Sequence, residues 1–140
     1  MPTVIVESPF KTNTLLLSDG KSYVCAEDDN VRYARACLRD CLDRGEAPFA
    51  SHLLYTQEGV LDDADPEERR RGIEAGFEIA RTLDRRVFYV DRGFSDGMKW
   101  GLLQARELDQ PCEIRILGGE WGVGWMPEPS VTSLVDRLRE

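Results

Sequence analysis

The sequence predicts an α/β protein with a small, mostly parallel sheet and helices on both of its faces. Three observations carry that reading. Residues 85–108, RRVFYVDRGFSDGMKWGLLQAREL, read as a buried strand, a short turn and a helix. Strand-length apolar runs alternate with helical patterns in the order β-α-β-α-β-α-β-α, which within one sheet implies parallel strands joined by crossovers. The run Thr3–Glu7, TVIVE, alternates too little for a half-exposed strand and reads as a central, buried one.

Taken in order, Ser8 and Pro9 stop that first strand. Residues 11–28 then read as a loop carrying a small hairpin, because Asp19-Gly20 stands between the apolar runs 15–17 and 23–25. Asp28, Asp29 and Asn30 offer caps for a helix over residues 31–44, with Val31, Ala34, Cys37, Leu38, Cys41 and Leu42 inward and Gly45 as its left-handed stop. A short second strand covers residues 48–50 and ends near Ser51 and His52, followed by a long loop. Asp65-Pro66-Glu67-Glu68 starts the next helix with a cap, a proline at its first position and acids in its first turn. It runs to about Leu83, with Ile73, Phe77, Ala80 and Leu83 inward and a thin flank at Gly72, Ala75 and Gly76.

In the strand 87–90, Arg86 and Asp91 read as flanks, and Gly93 breaks it. Ser95 caps the third helix, with Asp96 in its first turn and Met98, Leu102, Ala105 and Leu108 on its apolar face. Pro111 ends it. Residues 112–117 alternate apolar and charged side chains, as expected nearer a sheet edge. A GGEWGVGW loop follows, and Ser130 caps a last helix over residues 131–139.

One domain spanning residues 1–140 is expected at this length. A net charge of −8 speaks against nucleic acid or an anionic membrane as the main partner. The chain has neither a membrane-length apolar run nor the plan of a signal peptide, so a cytoplasmic protein is expected. Cys25, Cys37, Cys41 and Cys112 lack CxxC spacing and His52 is the lone histidine, so the thiols read as reduced and buried, with no metal site. Without GxGxxG or GxxxxGK[ST], no dinucleotide or P-loop cofactor is implied.

Four loops leave the carboxyl ends of the expected strands: residues 7–11, 51–55, 91–97 and 118–125. That edge is where open α/β sheets bind ligands. The loops bring together the carboxylates of Glu7, Asp91 and Asp96, the hydroxyls of Ser8 and Ser95, His52, Gly97, and aromatic side chains including Phe10, Tyr55 and Trp121. An aromatic wall with hydroxyls and an acid suits a nucleobase plus a sugar. Each part also has a plain structural reading: caps for Ser95 and Asp96, a hydrogen-bonded loop histidine for His52, core packing for the tryptophan.

The blocks E-S-P-F, H-L-L-Y, L-D-D and S-x-G-M, in this order and spacing, resemble a family of small uncharacterised phage and bacterial proteins. That family is itself similar to the nucleoside 2-deoxyribosyltransferases and the nucleotide N-glycoside hydrolases. The resemblance covers most of residues 1–117. It implies a Rossmann-like (flavodoxin-like) three-layer sandwich, a single deoxyribosyltransferase-like domain, and a small nucleoside or nucleotide as ligand. Relatives with this chemistry cleave the bond between base and sugar C1′ through a Glu nucleophile on the helix that begins here at Ser95. In this chain that position is Gly101.

The resemblance therefore leaves three readings. Another carboxylate does the work, with Glu7 and Asp96 best placed and Asp91 third. An acid merely activates water. Or the pocket binds without turnover, as a sensor or sequestering protein of phage origin would. Ser8, Phe10, His52, Ser95, Gly97, Met98 and Gly101 are the expected binding residues, and Ser8 and Ser95 would hold the sugar or a 5′-phosphate. Asp96 competes with a phosphate at the helix start and so favours an uncharged nucleoside. Relatives complete their pockets with a neighbour's loop, so a homodimer or larger homo-oligomer is expected. The thin flank at Gly72, Ala75 and Gly76, with Trp121 and Trp125, offers the interface.

Overall fold

The computed structural model describes residues 1–122. Trp125 and the helix expected over residues 131–139 lie outside the described residues. Four strands form one parallel sheet in the order β4-β1-β5-β6: β1 (Thr3–Glu7), β4 (Ala47–Phe49), β5 (Arg85–Tyr89) and β6 (Cys112–Arg115). The apolar TVIVE run lies inside the sheet, and the alternating β6 lies at its edge. A separate hairpin, β2 (Asn13–Leu16) with β3 (Ser22–Cys25), follows β1 directly.

Alternation along the strands divides the core into two layers. Val4, Val6, Val87 and Tyr89 face α1 (Glu27–Asp43) and pack on Tyr33, Cys37 and Cys41. On the other face, Phe88, Val90 and Ile114 pack on Met98 and Leu102 of α4 (Asp96–Glu107). Helix α3 (Pro66–Ala80) shares that second face, where its Phe77 ring meets the Arg86 guanidinium. The architecture is thus a three-layer α/β sandwich, with each buried aliphatic or aromatic side chain contributing about 1.5–3 kcal/mol.

Helix α1 begins four residues earlier than its acidic caps suggest. Its N-cap is Ala26, which makes no side-chain cap bond, and Glu27, Asp28 and Asp29 fall in the first turn, where carboxylates suit the helix dipole. Asn30 turns inward instead. Its amide donates to Lys11 O and Asn13 Oδ1, and its Oδ1 accepts from Arg92 Nε at 2.8 Å. Tyr33 joins it inside, whereas Leu42, expected inward, is exposed, as is Ile73 of α3.

The stretch after β4 is a short helix, α2 (Ser51–Leu54), rather than the start of a loop. It covers the thin flank of α3. A Cβ on Gly76 would sit 2.7 Å from Ser51 Cβ and Oγ, and one on Gly72 would touch Leu61. The flank expected to face another subunit is therefore closed by the chain's own α2. Trp121 likewise packs inward, 5.3 Å from the Tyr33 ring with Arg32 over it.

A second buried arginine ties the first face together. Arg115 donates from both terminal nitrogens to Glu46 at 2.7 Å, and also to Tyr89 Oη and Glu113. These bonds hold the Glu46 carboxyl below the usual carboxylate range. Replacing Glu46 with Gln takes from buried Arg115 the carboxylate that both its terminal nitrogens bond, and leaves the part-exposed Glu113 as its direct ion-pair partner among the described residues. Urea melts should show a loss of about 3 kcal/mol, as when one partner of a buried ion pair is removed.

Candidate functional site

Because all four strands of the main sheet run parallel, their carboxyl ends open onto one edge, and a cavity of about 760 Å³ lies there. The loop after β1 supplies Glu7, Ser8 and Phe10; α2 and its exit supply His52 and Tyr55. Helix α3 contributes Ile73 and Phe77. The start of α4 adds Ser95, Asp96, Gly97, Met98 and Trp100. The size fits a compact ligand of the small-molecule class.

Glu7 forms the floor. It is the last residue of β1, and its alternation places its side chain on the second face, under α4. Its Oε1 accepts from Arg86 NH1 at 3.3 Å. A Cβ built on Gly101 would lie 2.6 Å from that same Oε1 and 2.8 Å from Arg86 NH1. The space beside Gly101 is thus no void. The Glu7 carboxylate and the Arg86 guanidinium fill it, and Gly101 itself is screened from the cavity by them. Burial pushes the Glu7 carboxyl up to about 7, against the opposing pull of Arg86.

By sequence alone Arg86 is the polar flank of a strand. It is instead a buried member of β5, bonded to Glu7, Gly101 O, Gln104 and Gln110. No local signal announced this. Only the strand register, which puts Arg86 opposite Ile5 and beneath α4, determines its surroundings.

Ser8 and His52 meet at the side of the cavity, with Ser8 Oγ 2.9 Å from His52 Nε2. The imidazole also meets the Phe10 ring edge-on at 6.2 Å. Burial pushes the His52 pKa down to about 4, so the ring is neutral at ordinary pH. At the opposite end Ser95 caps α4 as expected, its Oγ accepting from Met98 N–H at 3.3 Å. Asp96 stands at the rim, its side chain well exposed and paired with Lys99 at 3.5 Å.

Asp91 is not part of this cavity. Its carboxylate is buried and accepts from Tyr33 Oη at 2.5 Å, from Leu117 N–H at 2.9 Å and from Gly118 N–H at 2.8 Å. It anchors the segment that follows β6. The structure thus gathers Glu7, Ser8, Phe10, His52, Ser95, Asp96, Gly97 and Met98 around one cavity, and leaves Asp91 and Gly101 outside its lining. Among the described residues no disulfide joins Cys25, Cys37, Cys41 and Cys112, and the first three are buried. Among the described residues no three His, Cys, Asp or Glu side chains gather as metal ligands, and no helix is long and apolar enough to cross a membrane.

The model of the domain of unknown function DUF7768 matches residues 2–115, and the chain belongs to that family. No curated protein matches. Among solved structures, a 2-deoxyribosyltransferase from the psychrotolerant bacterium Bacillus psychrosaccharolyticus is similar at a TM-score of 0.53 and 19% identity, over 84% of this chain and 74% of that one. The shared architecture is the Rossmann-like α/β fold.

The two perturbed groups pull stability in opposite directions with pH. Native Glu7 keeps its proton up to about 7 while the unfolded chain releases it near 4.5, so its contribution falls as pH rises between those values. The unfolded chain protonates His52 near 6.5 and the native protein only near 4, so that contribution falls as pH drops through this window. Urea melts of Glu7→Gln from pH 4.5 to 8 should show a gain over the parent that grows to about 3 kcal/mol above pH 7. The same variant should lose stability more steeply than the parent on acidification below pH 6.5. A difference that does not vary with pH would show that Glu7 is not held protonated.

Proposed function

We propose that this DUF7768 protein binds a nucleoside or nucleotide in the cavity and acts on its N-glycosidic bond, with Glu7 as the reacting carboxylate. The observation that carries the reading is the position of that carboxylate. Its Oε1 occupies the place a side chain at position 101 would enter, which is the position the resemblance assigns to the nucleophile. The architecture shared with a 2-deoxyribosyltransferase supports the same reading.

In this reaction ionised Glu7 attacks C1′, and the C1′–N bond breaks with its electron pair leaving on the base, which takes a proton. Water or a second base then attacks C1′ and frees the carboxylate. Arg86 holds Glu7 in line by its 3.3 Å bond without leaving the protein interior. The aromatic side chains Phe10, Tyr55 and Trp100 offer faces for a base. Asp96 at the start of α4 favours an uncharged sugar over a 5′-phosphate. A carboxyl group near 7 is about half ionised at neutral pH, so the rate should follow its ionisation.

The second reading, binding without turnover as a sensor or sequestering protein, is favoured by Gly101 itself, which leaves α4 without a carboxylate at that position. Chromatographic assays of base release from a panel of deoxynucleosides and their monophosphates separate the two. Release should rise with pH to a plateau above about 7, and Glu7→Gln should lower it at least 100-fold while binding by calorimetry persists. Gly101→Ala should also lower it, because the new methyl displaces the Glu7 carboxylate rather than the backbone. Ligand binding with no release by the parent would select the second reading.

The same reading includes a homo-oligomer. Trp100 and Leu103 are 58% and 53% exposed on α4 and leave an apolar patch by the cavity mouth. Light scattering at micromolar concentration should return at least twice the 15.9 kDa of one chain.

A further inference from the structure

The Ser8–His52 pair has a property that the proposed reaction does not use. Ser8 Oγ lies 2.9 Å from His52 Nε2, and both residues line the cavity. Among the described residues nothing bonds His52 Nδ1. The His52 backbone is fixed, since Thr56 Oγ donates to its carbonyl, but the ring's tautomer is not. A ring nitrogen's proton is set by what its other nitrogen meets, and no described residue supplies that constraint here.

Both arrangements keep the Ser8–His52 bond. With the proton on Nδ1, Ser8 donates to Nε2, and its oxygen is left to accept from a ligand. With the proton on Nε2, the ring donates to Ser8, whose own O–H is then free to donate to a ligand. The exchange moves one proton between nitrogens of a neutral ring and changes no net charge. A nucleophilic serine is a poorer account of the pair. Among the described residues no carboxylate bonds Nδ1 to stabilise an imidazolium, and a buried neutral ring is a weak base.

The pair also has a definite place along the cavity. Glu7 lies under α4, and Ser95 and Asp96 mark the end where the α4 amides begin. Ser8 and His52 lie on the α2 side, against Phe10, whose ring meets the imidazole edge-on. With the sugar carbon at Glu7 and the sugar hydroxyls toward α4, the base falls against the wall that Phe10 and the Ser8–His52 pair form together.

Resting on the proposed nucleoside reading, we propose that Ser8 and His52 form a two-way hydrogen-bonding contact to the edge of the base, accepting from an amino group or donating to a carbonyl. The pair makes the site indifferent to the exchange of amino for oxo at that edge. A contact of fixed polarity rejects the wrong partner by tenfold or more, because one polar group is then buried unpaired.

The test is calorimetric binding to the full chain, with two matched pairs of ligands: deoxyadenosine against deoxyinosine, and deoxycytidine against deoxyuridine. Within at least one pair the two dissociation constants should agree to within about threefold. Ser8→Ala should weaken both members of that pair equally, by roughly fivefold or more. Thermal melts with and without ligand establish that the variant is folded. Discrimination above tenfold within both pairs overturns this inference and leaves the proposed function standing. So does unchanged binding by folded Ser8→Ala. Failure of every nucleoside and nucleotide to bind overturns both.

Discussion

Arg86 is 1% exposed, and a guanidinium at that depth must meet acceptors on every side. It meets four: Glu7 Oε1, Gly101 O, Gln104 Oε1 and Gln110 Oε1. The two glutamines pass the constraint on. Gln104 donates to Phe77 O, and Gln110 donates to Ala80 O and Leu83 O. One side chain therefore fixes the spacing of β1, β5, α4 and the end of α3, which together make the cavity floor. A neutral residue in its place would leave the side-chain oxygens of Gln104 and Gln110 without their donor. Arg86 also explains why Glu7 can stay so far inside. The partial positive field keeps a carboxyl there at all, while burial keeps it near neutrality.

Close packing does for α2 what charge does for the floor. Its Ser51 lies against the bare backbone of Gly76, and that contact carries His52 to the cavity wall. A methyl group at position 76 would push α2 outward and take the imidazole with it. Phe10 and Ser8 would then lose the neighbour that orients them. The cavity is bounded on one side by a fixed hydrogen-bond frame and on the other by a glycine contact.

What the sequence made legible was local. The strand Thr3–Glu7, the hairpin about Asp19-Gly20, the Ser95 cap and the parallel order each depend on a few neighbouring residues, and each is found. So are the cavity's polar and aromatic members, because the ends of parallel strands share one edge. The rest depended on contacts between distant segments. Arg86 looks like a solvated strand flank until register sets it under α4. Gly72 and Gly76 look like an interface until α2 is laid on them, and α2 is too short to announce itself by periodicity. Asp91 has the look of an acid at a strand end, and nothing nearby says that residues 117 and 118 will claim it. Gly101 shows in the sequence only that a nucleophile is missing from α4, and only the fold shows that Glu7 and Arg86 fill the space beside it.

Asp91 ties the sheet to the segment that follows it. The DUF7768 match stops at residue 115, yet two of the three donors to the Asp91 carboxylate are the amides of Leu117 and Gly118. A polypeptide cut at the family boundary would keep the acid and discard those donors. Tyr33, whose hydroxyl is the third donor, would also lose the cover of Trp121. The contacts that satisfy Asp91 and cover Tyr33 thus run past the stretch over which the family is recognised, as far as Trp121.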